Sequence, residues 1–113
     1  MSSLFSKIIN KEIPADVVYE DNEIIAFNDI NPQAPVHILI VPKKEIRTLN
    51  NLDENDQKII GKIFLTVKKL AKEFNIDKTG YRTVFNCNED GGQTVFHIHL
   101  HLLGGRKLDW PPG

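Results

Sequence analysis

Residues 97 to 101 read His-Ile-His-Leu-His, and this alternation constrains the fold more than any other stretch of the chain. Successive side chains of a β-strand point to opposite faces, so a strand here carries all three imidazoles on one face. Phe96, Ile98, Leu100 and Leu102 then cover the other face. A strand that is polar on one side and apolar on the other has to bury its apolar wall against a second layer. The expected architecture is therefore a sheet with a helix across one side.

The rest of the chain supplies those parts. Leu4, Phe5, Ile8 and Ile9 recur at helical spacing behind Ser2 and Ser3, either of which suits a helix cap, and Pro14 ends that stretch. Val17–Glu20 and Glu23–Phe27 flank the turn pair Asp21-Asn22 and read as a hairpin. Asn31-Pro32-Gln33-Ala34-Pro35 reads as a loop, because its prolines lack amide donors. Val36–Val41 suits a buried central strand that Pro42 terminates. A helix is predicted roughly from Asn55 to Phe74, capped by Asp53 or Asn55. Its apolar stripe comprises Ile59, Ile60, Ile63, Phe64, Val67, Leu70, Ala71 and Phe74. Tyr81–Cys87 and Val95–Leu103 read as strands joined by a turn at Asn88–Gln93. The expected class is α+β, an antiparallel sheet with one long helix packed across it and a short helix at the N-terminus. The 113 residues fit a single domain over positions 1–113.

Charge narrows the partners. With 14 Lys plus Arg against 15 Asp plus Glu, the net charge of −1 argues against a nonspecific nucleic-acid binder. Lys43-Lys44 and Lys68-Lys69 read as solvated edges. Cys87 is the lone cysteine, which points to a reducing compartment and no intrachain disulfide. The N-terminal segment does not read as a signal peptide. Ser at position 2 argues against myristoylation, and the longest purely apolar run, Ile38–Val41, is too short for a membrane span. These features lead to an expected cytoplasmic location, with diffusion into a nucleus allowed, and no membrane partner.

The histidine row admits more than one chemistry. A single strand histidine is usually a surface or hydrogen-bonded residue, but three aligned imidazoles sacrifice apolar burial and call for a ligand or a reaction. Zinc is one candidate, since His-x-His on a strand can place two nitrogens on one ion. At a rise of about 3.3 Å per residue, however, neighbouring histidines stand about 6.6 Å apart and the outer pair about 13 Å. All three cannot converge on one ion that needs nitrogens at about 2 Å. His37 or Cys87 would have to complete a site in space. A phosphate, several ångströms wide, matches the row better, because imidazole offers both a neutral nucleophile and cationic donors near neutrality. Asp90-Gly91-Gly92-Gln93-Thr94 directly precedes the row, and its glycines would allow backbone amides to approach an anion.

His97 to Leu103 resembles, without a mismatch, the histidine triad signature His-Φ-His-Φ-His-Φ-Φ, with Φ apolar. The chain is similar over nearly its whole length to the Hint branch of that family, the adenosine phosphoramidases. Matching segments include Phe5-Ser6-Lys7-Ile8-Ile9, Lys11-Glu12-Ile13-Pro14-Ala15, Phe27-Asn28-Asp29-Ile30 and Pro32-Gln33-Ala34-Pro35-Val36-His37. Asp90-Gly91-Gly92-Gln93, Leu103-Gly104-Gly105-Arg106 and Trp110-Pro111-Pro112-Gly113 match as well.

The resemblance implies a homodimer that hydrolyses purine nucleoside 5′-phosphoramidates to the monophosphate, such as AMP, and an amine, without a cofactor or metal. It implies His99 as the nucleophile that forms a nucleotidyl-histidine. His101 and His37 match supporting positions around the phosphate, and His97 matches one that orients the row. Phe5, Ile8, Phe27 and Ile30 match the nucleoside cleft, and Asp29 the carboxylate on the ribose hydroxyls. Asn86, Gly92, Gln93 and Thr94 match phosphate contacts. Thr94 stands where Hint proteins usually carry Ser, which keeps the hydroxyl and predicts a changed rate or leaving-group preference. Asn28, where some relatives have His, is assigned no function, and Trp110 matches a tail that reaches the partner subunit. A dinucleoside polyphosphate hydrolase of the Fhit type, a non-catalytic nucleotide-binding scaffold or sensor dimer, and a zinc protein stand as alternatives.

Overall fold

The computed structural model describes residues 3–113. Helix α1, Leu4–Ile9, starts at Ser3, whose hydroxyl accepts the Ser6 N–H at 3.0 Å. Ser2, the other cap candidate, lies outside the described residues. Strands β1 (Val17–Glu20), β2 (Ile24–Asn28) and β3 (Val36–Pro42) follow, then helix α2 (Gln57–Glu73), β4 (Tyr81–Phe85), a short helix α3 (Asn88–Gly91) and β5 (Leu100–Gly104). The strands form one antiparallel sheet in the order β1-β2-β3-β5-β4. The expected α+β architecture is the one observed.

Local chemistry sets the element ends. Asp21 Oδ1 accepts the N–H groups of Glu23 and Ile24, which fixes the β1–β2 turn. Before α2 a 3₁₀ turn spans Glu54–Asp56, with Asp53 as its cap: Asp53 accepts the Asn55 N–H, and Asp56 accepts the Asp53 N–H. Helix α2 buries Ile59, Ile63, Val67, Leu70 and Ala71, while Ile60 and Phe74 pack at the margin. Phe64, expected within the stripe, is 45% exposed. It follows Ile63 by one residue and so turns onto the flank, where its ring meets Phe85 edge-on at 6.3 Å.

Strand alternation divides the core in two. Ile24 and Ala26 of β2, Ile38 and Ile40 of β3, and Leu100 and Leu102 of β5 face α2. Ile25, Phe27, Leu39 and Val41 face the other way and pack against Phe5 and Ile8 of α1. The second face is the one that carries His37 and His101, so the long helix builds the wall and the short helix borders the site.

The predicted strand Val95–Leu103 is shorter and shifted. Pairing with β3 begins only at Leu100, opposite Ile40, and runs to Gly104, opposite Val36. His97 and His99 precede the ladder. Beyond Ile40 the opposing strand offers Pro42, which has no N–H, and the His97 Nε2–H takes the Pro42 carbonyl at 2.6 Å. The Ile98 N–H turns away to the Ile46 carbonyl at 2.8 Å. Phe96 likewise leaves the helix-facing wall: it is half-buried, with the Arg47 guanidinium 5.4 Å above its ring.

Candidate active site

A cleft of about 320 Å³ opens between α1 and the α1-facing side of the sheet. Its apolar end is lined by Leu4, Phe5, Ile8, Phe27, Leu39 and Val95, with Ile13, Pro14 and Ala15 among its walls. Its polar end carries Asp29, Thr94, His99 and His101. This volume and lining suit a small organic ligand with one charged end. Ile30 lines the rim but is 99% exposed, so it borders the opening without packing there. Asn28, given no function from the sequence, also lines the cleft, with its Nδ2–H donating to Asp16 at 2.8 Å.

The hydrogen bonds fix which nitrogen of each histidine carries the hydrogen. A carbonyl can only accept, so the 2.8 Å contact from His99 Nδ1 to the His97 carbonyl puts the hydrogen on Nδ1. Neutral His99 therefore has its lone pair on Nε2. His37 Nδ1 accepts the Gln33 N–H at 3.0 Å, so its hydrogen sits on Nε2. That Nε2–H points at His101 Nδ1, 2.9 Å away, which leaves the His101 hydrogen on Nε2. Two adjacent imidazoles, with ring centroids 4.9 Å apart, thus differ in role: His99 offers a lone pair and His101 an N–H. The Phe5 ring stands edge-on to His99 at 4.8 Å and restricts its rotation.

His97 does not join them. It is fully buried, donates to Pro42, and has Ser3 Oγ at 3.4 Å from its free Nδ1. The single row of three ligand-facing imidazoles expected from the sequence is therefore a pair at the cleft. His97 is a buried strut and His37 a buried second rank behind His101.

The glycine-rich segment also differs from a bare cradle. Asn88–Gly91 forms one helical turn, and Gly92 closes it at φ 82°, a left-handed conformation that favours glycine. The Gly92 N–H donates to Glu89 and the Gln93 N–H to Asn88, so both amides are engaged inside the turn. Gln93 is buried: its Oε1 accepts the Asn88 N–H, and its Nε2 donates to the carbonyls of Arg47 and Val95. Gly92 and Gln93 thus shape the loop that presents Thr94 to the cleft. Asn86 is half-buried beside Gly91 and is not among the cleft-lining residues.

Burial lowers the pKa of all four histidines from the ordinary 6.5. For His101, desolvation with His99 and His37 beside it brings the value to about 4. All four are neutral at pH 7, and for His37 and His101 the hydrogen bonds themselves require it, because each Nδ1 is an acceptor. Below pH 6.5 the unfolded chain binds protons that the folded chain resists, so stability falls as pH drops from about 6.5 toward 4. The urea midpoint should be lower at pH 5.5 than at pH 7.5, a comparison that stays above the ordinary titration range of Glu20, Asp21 and Asp56 in the unfolded chain. An unchanged midpoint would contradict the burial of these rings as neutral species.

Asp29, His37 and His101 bring one ligand-type atom each within 4.8 Å of one another. The tautomers argue against a metal there. An ion on His37 Nε2 would need that lone pair, which moves the hydrogen to Nδ1 and sets it against the Gln33 N–H. The cluster is a hydrogen-bond chain from the Gln33 N–H to His37 and from His37 to His101, with Asp29 Oδ2 beside it 3.5 Å from His37 Nε2.

Sequence reading missed the far wall, Ile13-Pro14-Ala15, and also Leu4, Leu39 and Val95. Of these only Leu39 left a usable signal. It alternates with Ile38 and Ile40, and the register sets it between Phe27 and His101.

Comparison with known proteins identifies the fold and the family. The model of the HIT domain matches residues 10–108. An uncharacterized HIT-like protein of Synechococcus elongatus is 53% identical over 111 residues, 98% of this chain and 96% of that protein. The crystal structure of a HIT family hydrolase from Legionella pneumophila Philadelphia 1 superposes with a TM-score of 0.98 at 54% identity, covering 99% of this chain and 100% of that one. A histidine triad nucleotide-binding protein from Candida albicans gives a TM-score of 0.83 at 33% identity, over 97% of this chain and 83% of that one. By the family match over residues 10–108 and the superposition of the whole sheet, this chain belongs to the HIT domain family.

Proposed function

We propose that the protein hydrolyses purine nucleoside 5′-phosphoramidates to nucleoside monophosphate and amine, the activity of the Hint branch, through a nucleotidyl intermediate on His99. The observation that carries this reading is the division of labour between two neighbouring rings: His99 Nε2 holds a lone pair while His101 Nε2 holds a hydrogen, at the polar end of an apolar cleft. The relative named as a nucleotide-binding protein supports the ligand class.

In this reading the purine lies among Phe5, Ile8, Phe27 and Leu39, with Ile30 at the rim, and Asp29 accepts from the ribose hydroxyls. The α-phosphate sits against His99, His101 and the Thr94 hydroxyl. His99 Nε2 attacks phosphorus, the P–N bond of the substrate breaks, and the amine leaves with a proton. The proton comes from solvent, and the neutral His101 donates its Nε2–H as a hydrogen bond to the departing nitrogen, since a second hydrogen on Nδ1 would meet the His37 Nε2–H. Water then attacks phosphorus, the P–Nε2 bond breaks, the monophosphate is released and the proton lost by the water returns to solvent. His97 acts only by holding the His99 tautomer through its carbonyl.

The assembly proposed is a homodimer. Strand β4 is a sheet edge paired on one side only, and Phe64, Leu65 and Tyr81 are exposed large apolar residues on α2 and β4. Open edges of this kind are ordinarily covered. The lone Cys87 fits action in the reducing cytoplasm. Steady-state turnover of an adenosine 5′-phosphoramidate should clearly exceed that of a diadenosine polyphosphate. The reverse preference would move the assignment to the dinucleoside polyphosphate hydrolases. AMP binding without turnover of either would move it to a nucleotide sensor.

A further inference from the structure

The segment Leu103-Gly104-Gly105-Arg106 follows the triad strand, and the cleft uses none of its side chains. Arg106 is exposed, yet its guanidinium makes two bonds to one acceptor: Nε and an Nη both donate to the Gln33 carbonyl, at 3.2 and 3.0 Å. Its other Nη donates to the Lys107 carbonyl at 3.1 Å. Gln33 lies in the proline loop before β3 and is held from both sides. Its carbonyl accepts from Arg106, and its N–H donates to His37 Nδ1.

That N–H is what forces the hydrogen of His37 onto Nε2. The Nε2–H in turn forces the hydrogen of His101 onto the nitrogen that faces the cleft. If Gln33 drifted, both rings would be free to take the opposite tautomer, with a His101 lone pair where the reaction needs an N–H. Gly105 makes the clamp possible. It sits at φ 92°, and an added Cβ there would fall 2.8 Å from the Pro35 ring, so this turn can lie against the proline loop only as glycine.

We propose that Arg106 is a positioning residue for the reaction, fixing the tautomer of His101 through Gln33 and His37 without touching the substrate. The inference rests on the phosphoramidase reading for its kinetic effect, but not for its structural one. Removing the clamp should lower kcat by about threefold to tenfold, the scale of one or two partly exposed hydrogen bonds, and leave KM unchanged.

The test uses the full chain, labelled with ¹⁵N, as wild type, Arg106→Ala and Arg106→Lys. Ring ¹⁵N–¹H correlation spectra read the tautomer of each histidine, and thermal melting and steady-state hydrolysis are recorded alongside. The expected result is a single Nε2–H form of His101 in wild type and a tautomer mixture in Arg106→Ala. The lower kcat should come with an unchanged melting temperature, and Arg106→Lys, with one donor restored, should fall between. A single Nε2–H form persisting in Arg106→Ala would overturn the proposal, as would a kcat loss that tracks melting temperature. If wild type does not hydrolyse phosphoramidates, the proposed function fails, and the tautomer spectra still decide the role of Arg106.

Discussion

Replacing His99 with alanine should reduce turnover of an adenosine 5′-phosphoramidate by more than about 10³-fold, the scale seen when a nucleophile is removed from an enzyme whose other groups stay in place. AMP should still bind within about tenfold of its wild-type affinity. The apolar walls, Asp29 and His101 remain, and none depends on the His99 ring: Asp29 Oδ1 accepts the Asn31 N–H at 2.8 Å, and His101 is held by His37 at 2.9 Å. A parallel loss of binding and turnover would make His99 a binding group, and undiminished turnover would identify another nucleophile. His101→Ala should fall short of this loss, because it removes a hydrogen-bond donor for which solvent is a partial substitute.

The second large effect lies in β5, on the face turned away from the cleft. Leu102 is fully buried against α2, with Ile38 and Thr83 as its cross-strand neighbours. Leu102→Ala should cost about 2–5 kcal/mol of unfolding free energy, the loss of buried methyl groups plus the cavity left behind. A urea titration should show a lower midpoint with the same slope, since the surface exposed on unfolding hardly changes. Below its transition the variant should hydrolyse substrate at a near wild-type rate, because the side chains of Leu102 and His101 leave the strand on opposite sides. A large kinetic defect in a folded Leu102→Ala protein would mean that the two faces are coupled through the backbone.

These two variants also show how far the sequence alone reaches. Alternation at His101 and Leu102 gave the correct faces, because period-two patterning is a local property of extended backbone. Asp53 as a cap, and Asp21 in its turn, were readable for the same reason: their partners lie within three residues. The errors arose where distant groups compete for hydrogen bonds. The Pro42 carbonyl, 55 positions from His97, captures that ring and ends the ladder early. The Arg47 carbonyl, 46 positions from Gln93, draws that side chain inward, which no local pattern shows. The His37–His101 bond spans 64 positions, so the tautomers that distinguish the two cleft histidines had no sequence signal. Resemblance supplied the proposed roles, and the folded chain supplies the hydrogen bonds on which they are argued.

The most direct test of the central claim is to trap the intermediate. Wild-type protein is mixed with an adenosine 5′-phosphoramidate, quenched within a fraction of a turnover, and digested for peptide mass mapping under conditions that preserve phosphoramidate bonds. One nucleotidyl group per active chain should be found on His99 and be absent from the His99→Ala variant. A nucleotidyl group on His101 or His97, or complete turnover with no labelled histidine at any time point, would contradict the claim.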